Sequence, residues 1–317
     1  MVAVTVVVCT AGTRPLTLGR CLASLQKQSD RAEEVLVVDN STRSVLDAAE
    51  IATYGARLLR EPRGGLDVAR TTGARVAAGD VVAYVDDDCE ADFKWVERLR
   101  EAFRDDEVAC VTGRVRPADF SLITARWFEQ RFSFDRGTVP DRFHRDDVRP
   151  WFPADPSHLG TGCNLAVRRG VVQQLGGFDP ALDMGTFVGG GGDLDFFARL
   201  LDAGLVAAYA PDCLVRHHHR PRRRGLARQF FGYGATVSAL CVKFAVSRPG
   251  QRRAALLFLR AYLVQEAARM SARARGRDAL PLYLLAIEFC GHLWGPFGYL
   301  LGRMRSRAYR SDGDGGG

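Results

Sequence analysis

Strand and helix signals alternate without a break over the first hundred residues: strands at 2–9, 34–39, near 56–60 and 81–86, with helices near 15–28, 43–54 and 66–78 between them. That rhythm predicts a mainly parallel sheet with helices on both faces. Two of the strands are apolar until they end on acid. Val35-Leu36-Val37-Val38 precedes Asp39, and Val81-Val82-Ala83-Tyr84-Val85 precedes Asp86, Asp87 and Asp88. Ligands of open α/β sheets sit outside the carboxyl ends of the strands, so these four carboxylates are expected to line one crevice. Three adjacent anions repel one another, and a hard divalent cation with a phosphate-bearing ligand would neutralise them. The competing reading is an acidic turn whose side chains stand in water.

At 317 residues and 47% hydrophobic content, the chain can bury one large core, or one core plus an appended module, which excludes a disordered protein. Eight cysteines stand singly at 9, 21, 89, 110, 163, 213, 241 and 290, a pattern expected of reduced, mostly buried thiols in a cytoplasmic protein and not of Cys-x-x-Cys zinc sites. An apolar strand begins at Val2 with no basic leader before it, so secretion by a signal peptide is not expected. A core helix is expected at 92–104 and a strand at 108–112. Residues 113–160 lose clean periodicity and read either as an active-site excursion or as a surface insertion. Gly189 to Gly192 precede an acidic helix start at Asp193-Leu194-Asp195. Four glycines in a row suggest backbone flexibility or close approach to a ligand, with a mobile surface loop as the alternative.

Taken in order, Val7-Val8-Cys9-Thr10, Val37-Val38-Asp39, Gly65-Leu66-Asp67-Val68-Ala69-Arg70, Asp86-Asp87-Asp88, Gly162-Cys163-Asn164 and Gly192-Asp193-Leu194-Asp195 resemble the motifs of family 2 glycosyltransferases of the Rossmann-like GT-A fold. The resemblance covers residues 4 to 245. It implies inverting transfer of a hexose from a nucleotide-sugar, most often a UDP-sugar, to a hydroxyl acceptor on a glycan, lipid carrier or specialised metabolite. It also implies that Thr10 and Asp39 contact the nucleoside, with Arg70 assisting. The triplet then matches the DxD motif: Asp86 and Asp87 fall on the donor side, and Asp88 ligates Mn2+ or Mg2+. Asp193 matches the general base, with Asp195 as the alternative, or else as a helix-dipole partner or a bridge to Arg199. In relatives a histidine after the last strand completes the metal site, which here implies His217, with His219 in reserve. On an extended segment those two share a face while His218 points the other way; all three could instead be surface polar residues. The chain departs from the family at Gly192, where Glu is common, and at Thr71, where Asn is frequent.

Residues 216–317 hold 19 Lys and Arg against 5 Asp and Glu, a balance of +14 that leaves −7 for the first 215 residues of a chain carrying +7 overall. The expected organisation is a catalytic domain over 1–225, a helical extension over 226–310 and a disordered tail over 311–317. Pro221-Arg222-Arg223-Arg224 reads as a phosphate-closing segment or a solvated charge run. Helical segments are expected at 254–270 and 281–301, the latter broken by Gly295-Pro296 and therefore too short to span a bilayer. It is expected to lie in a membrane interface, with Arg303, Arg305, Arg307 and Arg310 at anionic headgroups, placing a cytoplasmic protein on the inner face of the cell membrane; packing on the catalytic domain is the alternative. Two other functions compete. A nucleotidyltransferase acting on sugar phosphates would carry a Gly-rich basic loop after the first strand, and residues 10–15 are a poor version of one. Nucleic-acid binding through the basic tail lacks interleaved stacking aromatics, so no nucleic-acid partner is expected.

Overall fold

The computed structural model describes residues 2–43, 45–146, 156–183, 186–276 and 279–313, with side chains as far as Arg305, Pro249 excepted. The chain forms two units. The first comprises Met1–Asp147, Ser157–Phe178 and Phe196–His219; the second takes Asp179–Asp195 and Arg220–Gly317. The second unit thus resumes at Arg220, and it also holds Gly189 to Gly192.

In the first unit β1 (Val4–Thr10), α1 (Pro15–Gln26), β2 (Glu34–Asp39), α2 (Ala48–Thr53), β3 (Arg57–Arg60), α3 (Leu66–Val76) and β4 (Val81–Val85) follow the alternation expected from the sequence. Their four strands are parallel neighbours in the order β3-β2-β1-β4. Every residue of β1 and β4 is buried, as Val-rich strands covered on both faces require. The register pairs Thr10 with Asp39, so β1 and β2 end level.

Beyond β4 the chain adds β5 (Cys89–Ala91), α4 (Trp95–Ala102), β6 (Val108–Pro117), α5 (Ile123–Arg131), β7 (Asp141–Phe143), β8 (Asn164–Arg168), α6 (Arg169–Gln174), α7 (Gly192–Asp202) and β9 (Val206–His217). β8 is antiparallel to both β4 and β6, β6 is parallel to β9, and β5 and β7 are antiparallel to β9. The sheet is thus mixed, and its parallel character is concentrated in the β3-β2-β1-β4 half. The strand expected at 108–112 continues to Pro117 through a register shift between Gly113 and Arg114, which breaks the alternation that would have revealed it. The aperiodic stretch after it contains α5 and β7. Asn164 ties this half together: its amide donates to the carbonyls of Arg114 (3.0 Å) and Cys213 (2.8 Å) and its oxygen accepts from the Trp95 indole (2.9 Å).

The second unit is built on α8 (Arg223–Ser247), α9 (Arg252–Ala274) and α10 (Leu282–Gly313). α8 and α10 touch backbone to backbone. A Cβ on Gly234 would collide with the Glu288 carbonyl, and one on Gly291 or Gly295 would collide with the carbonyl of Phe231 or Ala235. This contact explains why Pro296 sits inside α10 instead of ending it at Gly295-Pro296 as expected: helix packing outweighs one missing backbone donor. α10 also runs on to Gly313, so residues 311–313 are helical where a disordered tail was expected, while 314–317 lie outside the described residues. Helices α8 and α10 are long and apolar enough to cross a membrane, by length and composition only.

Candidate active site

The site grows from the turn after β4. Cys89 N–H donates to the Asp86 carbonyl (2.9 Å), closing a tight turn that presents the triplet and sends the chain into β5. β5 pairs with β9 in a register that sets Cys89 opposite His217, and His218 N–H donates to the Asp88 carbonyl (2.8 Å). The imidazole of His217 is thereby delivered to Asp88, with Nε2 at 3.5 Å from Oδ1. His218 faces the other way and contacts Glu90 at 2.6 Å. His219 returns to the side of His217, ring centroids 4.7 Å apart, and is held by Glu129 of α5 at 2.8 Å.

Each acid of the triplet has its own environment. Asp87 is buried, accepts a hydrogen bond from the Thr10 hydroxyl (2.6 Å) and pairs with Arg14 at 3.0 Å. Burial pushes its carboxyl up to about 6, against the pull of Arg14. Asp88 is buried between Arg14, which pairs with it directly, and His217. Burial alone would lower the His217 imidazole, yet the Asp88 carboxylate prevails and lifts it to about 9. His219 goes the opposite way: burial and the neighbouring His217 charge hold it below the ordinary imidazole range despite Glu129. Asp86 is the most open of the three and meets Arg70 at 3.1 Å. Arg70 is buried, donates to the Gly162 carbonyl (3.0 Å) and stands 3.6 Å from Asp67. A Cβ on Gly162 would lie 2.7 Å from that guanidinium, which is a reason for glycine there.

Two of the residues expected at the nucleoside, Thr10 and Arg70, meet the acidic triplet. The Thr10 hydroxyl donates to Asp87 and accepts from Gly12 N–H (3.1 Å). Arg70 supports Asp86. Asp39 is fully buried, and its Oδ1 accepts from Ser41 N–H (3.0 Å) and the Ser41 hydroxyl (2.6 Å) and faces Arg60 at 3.1 Å. Its neighbours Asn40, Ser41, Thr42 and Arg43, with Ala11, Gly12 and Thr13, line a cleft of about 360 Å3 at the level ends of β1 and β2. Asp39 thus fixes a wall of the crevice.

The residues present fit a divalent cation. Asp88, Cys89 and His217 each place a donor atom within 4.8 Å of the others, and the buried Nδ1 of His217 has no hydrogen-bond partner. Burial pushes the Cys89 thiol up, which leaves the Asp88 carboxylate oxygen and, with its proton displaced, the His217 imidazole nitrogen as donors, a set suited to Mn2+ or Mg2+. The other seven cysteines are also free, and Cys290 is exposed.

Asp193 belongs to the second unit, in the first turn of α7, partly exposed, its Oδ1 accepting from Leu194 N–H (2.9 Å). Asp195 is fully buried and meets Lys243 of α8 at 2.5 Å; the same ammonium holds Asp179 at 2.5 Å. Lys243 therefore clamps both sides of the segment that carries Asp193. The glycine run also has a structural explanation. Gly189, Gly190 and Gly191 have positive φ (86°, 148° and 104°), Gly232 of α8 approaches the Gly189 carbonyl, and a Cβ on Gly191 would lie 2.6 Å from Thr236. Gly189 and Gly191 thus pack closely on a helix.

Sequence reasoning missed Arg14 and Glu129. Arg14 carries a faint signal, since it lies in the first loop at the ligand edge of the sheet, directly before Pro15 at the start of α1.

A mixed sheet whose strand ends bring an acidic triplet and a histidine together, with appended helices, defines a protein of the GT-A fold whose clustered side chains could hold a cation. The model of the glycosyl transferase family 2 matches residues 5–176, more than half of the sequence. The chain belongs to that family. It is 29% identical over 222 residues to the pre-mycofactocin glycosyltransferase of Mycobacterium tuberculosis, a match covering 67% of this chain and 43% of that protein, so the chain spans less than half of that relative's length. Among solved structures, it shares its fold with the mannosyltransferase PcManGT from Pyrobaculum calidifontis in complex with GDP-Man and Mn2+ (TM-score 0.56, 19% identity, 92% of this chain and 87% of that one). It also shares it with GalNAc-T7 with UDP, GalNAc and Mn2+ (TM-score 0.52, 20% identity, 75% and 51%).

Proposed function

We propose that the protein is an inverting, metal-dependent glycosyltransferase that moves a sugar from a nucleotide-sugar, foremost a UDP-sugar, to a hydroxyl of a glycan, lipid carrier or specialised metabolite. The observation that carries this reading is the meeting of Asp88 and His217 at the ligand edge of a family 2 domain. A divalent ion held by these two residues stabilises the charge that grows on a leaving diphosphate. The chain supplies the rest. The cleft beside Asp39 takes the nucleoside, and Asp86, steadied by Arg70, offers a carboxylate to ribose hydroxyls or to bound water. Asp193 accepts the proton of the acceptor hydroxyl as that oxygen bonds to the anomeric carbon, while the bond from that carbon to the diphosphate breaks and its electron pair leaves with the diphosphate. Titration calorimetry with UDP, GDP and dTDP tests the reading: one nucleotide is expected to bind at least about tenfold more tightly with Mn2+ than without. Failure of all three to bind overturns it.

We further infer that the helical unit attaches the protein to an anionic membrane, on its cytoplasmic face. Leu293, Phe297, Leu300, Leu301 and Met304 recur at helical spacing and are exposed on α10, next to Arg303 and Arg305. The +14 balance of residues 216–317 adds charge complementarity. The side chains of Arg307 and Arg310 lie outside the described residues. In flotation at physiological salt, vesicles containing phosphatidylserine are expected to retain at least about tenfold more protein than neutral ones, the effect of two or more basic side chains near the surface. Equal or no retention removes the membrane from the picture.

A further inference from the structure

We propose that Arg14 is a built-in counter-ion of the acidic triplet, which competes with the metal for Asp88 and releases it when a nucleotide diphosphate arrives, so that metal and nucleotide bind as one cooperative event. The proposal rests on the reading of Asp88 and His217 as metal ligands. Its starting point is charge. Three carboxylates crowd one turn, and the cations facing them are Arg14, Arg70 and His217. Arg70 is fixed: it is buried, bonded to the Gly162 carbonyl and packed so closely on Gly162 that a Cβ there would lie 2.7 Å from its guanidinium.

Arg14 differs in two ways. Its side chain is about a third exposed, and its guanidinium contacts are the carboxylates of Asp87 and Asp88 themselves. It also terminates the loop of Ala11, Gly12 and Thr13 that forms one wall of the nucleoside cleft, so a single swing about its side-chain torsions carries the charge from the acids towards the mouth of that cleft. Thr10 fixes the root of this loop, through Asp87 on one side and Gly12 N–H on the other, which leaves the Arg14 side chain as the adjustable part.

Two cations on one carboxylate repel each other, and a divalent ion at Asp88 must displace Arg14 or share its field. A diphosphate brings the negative charge that gives both cations a partner. The coupling is reciprocal: nucleotide raises metal affinity by the same factor as metal raises nucleotide affinity, and removal of Arg14 shrinks that factor. Arg14 is thus a positioning residue that couples metal binding to nucleotide binding.

The test is Mn2+ binding, read by electron paramagnetic resonance on the full chain, with Mn2+ alone and with UDP or GDP, for wild type, Arg14→Gln and Arg14→Lys. With Mn2+ alone, Arg14→Gln is expected to bind about tenfold more tightly than wild type and to lose most of the tightening caused by nucleotide, while Arg14→Lys restores part of the competition. Arg14→Gln binding Mn2+ alone no better than wild type overturns the proposal, because a merely structural arginine would weaken the site. If the folded proteins, checked by circular dichroism, bind no Mn2+ with or without nucleotide, the metal-site reading fails and takes this inference with it.

Discussion

Asp88→Asn is expected to abolish metal-dependent nucleotide binding and to slow sugar transfer about a thousandfold or more, since metal stabilisation of a leaving group is worth several kcal/mol and each 1.36 kcal/mol is tenfold in rate. Asp88 is the one acid of the triplet that faces His217, and its oxygens are also the ones Arg14 reaches. Asparagine keeps the volume and removes the charge. The turn should survive, because the backbone register of β5 with β9 and the bond from His218 N–H to the residue 88 carbonyl do not use the side chain. Transfer rates and nucleotide affinity measured across a Mn2+ titration, with circular dichroism as the check on fold, decide the point. A variant that keeps its metal dependence would show that the ion sits elsewhere. The same substitution at Asp87 should act differently, through the Thr10 and Arg14 contacts that hold the first loop, and so disturb nucleotide affinity with or without metal.

Much of this site is legible in the sequence because it is written as strand ends. Apolar runs that stop on Asp39 and on Asp86, Asp87 and Asp88 announce both the sheet and its ligand edge, and His217 closes a strand on the same terms. What stays hidden depends on pairing across long sequence separations. β5 and β7 are three residues each, too short for any periodicity to register, yet β5 is what brings His217 to Asp88. Arg14 meets Asp88 across 74 residues and Glu129 meets His219 across 90, distances over which local pattern carries no signal. Other expectations were misdirected by reading a residue's intrinsic preference without its packing. Pro296 reads as a helix breaker until α8 is laid against Gly291 and Gly295, and the packing of Gly189 and Gly191 on α8 has no local signal in the glycine run itself.

For Asp193→Asn the expected result is a fall in kcat of roughly 10^2 to 10^4, the usual worth of a general base, with nucleotide and Mn2+ affinity unchanged within about twofold. The structure gives the two carboxylates at the start of α7 different occupations. Asp195 is fully buried against Lys243 and shares that ammonium with Asp179, which makes it a clamp for the segment and a poor candidate to receive a proton from an arriving acceptor. Asp193 is partly exposed, and its Oδ1 accepts from the Leu194 N–H at the start of the helix. Asp195→Asn should therefore lower thermal stability, since it removes one of the two carboxylates that meet a partly buried ammonium, and should reduce turnover only as far as it loosens the loop. Comparing the two variants separates the roles: a base substitution removes kcat at constant donor affinity, whereas a clamp substitution shifts the melting temperature and raises the KM for acceptor. Should Asp193→Asn turn over within about threefold of wild type while Asp195→Asn is inert and stable, the proton acceptor is Asp195, and Lys243 is then the residue that positions it.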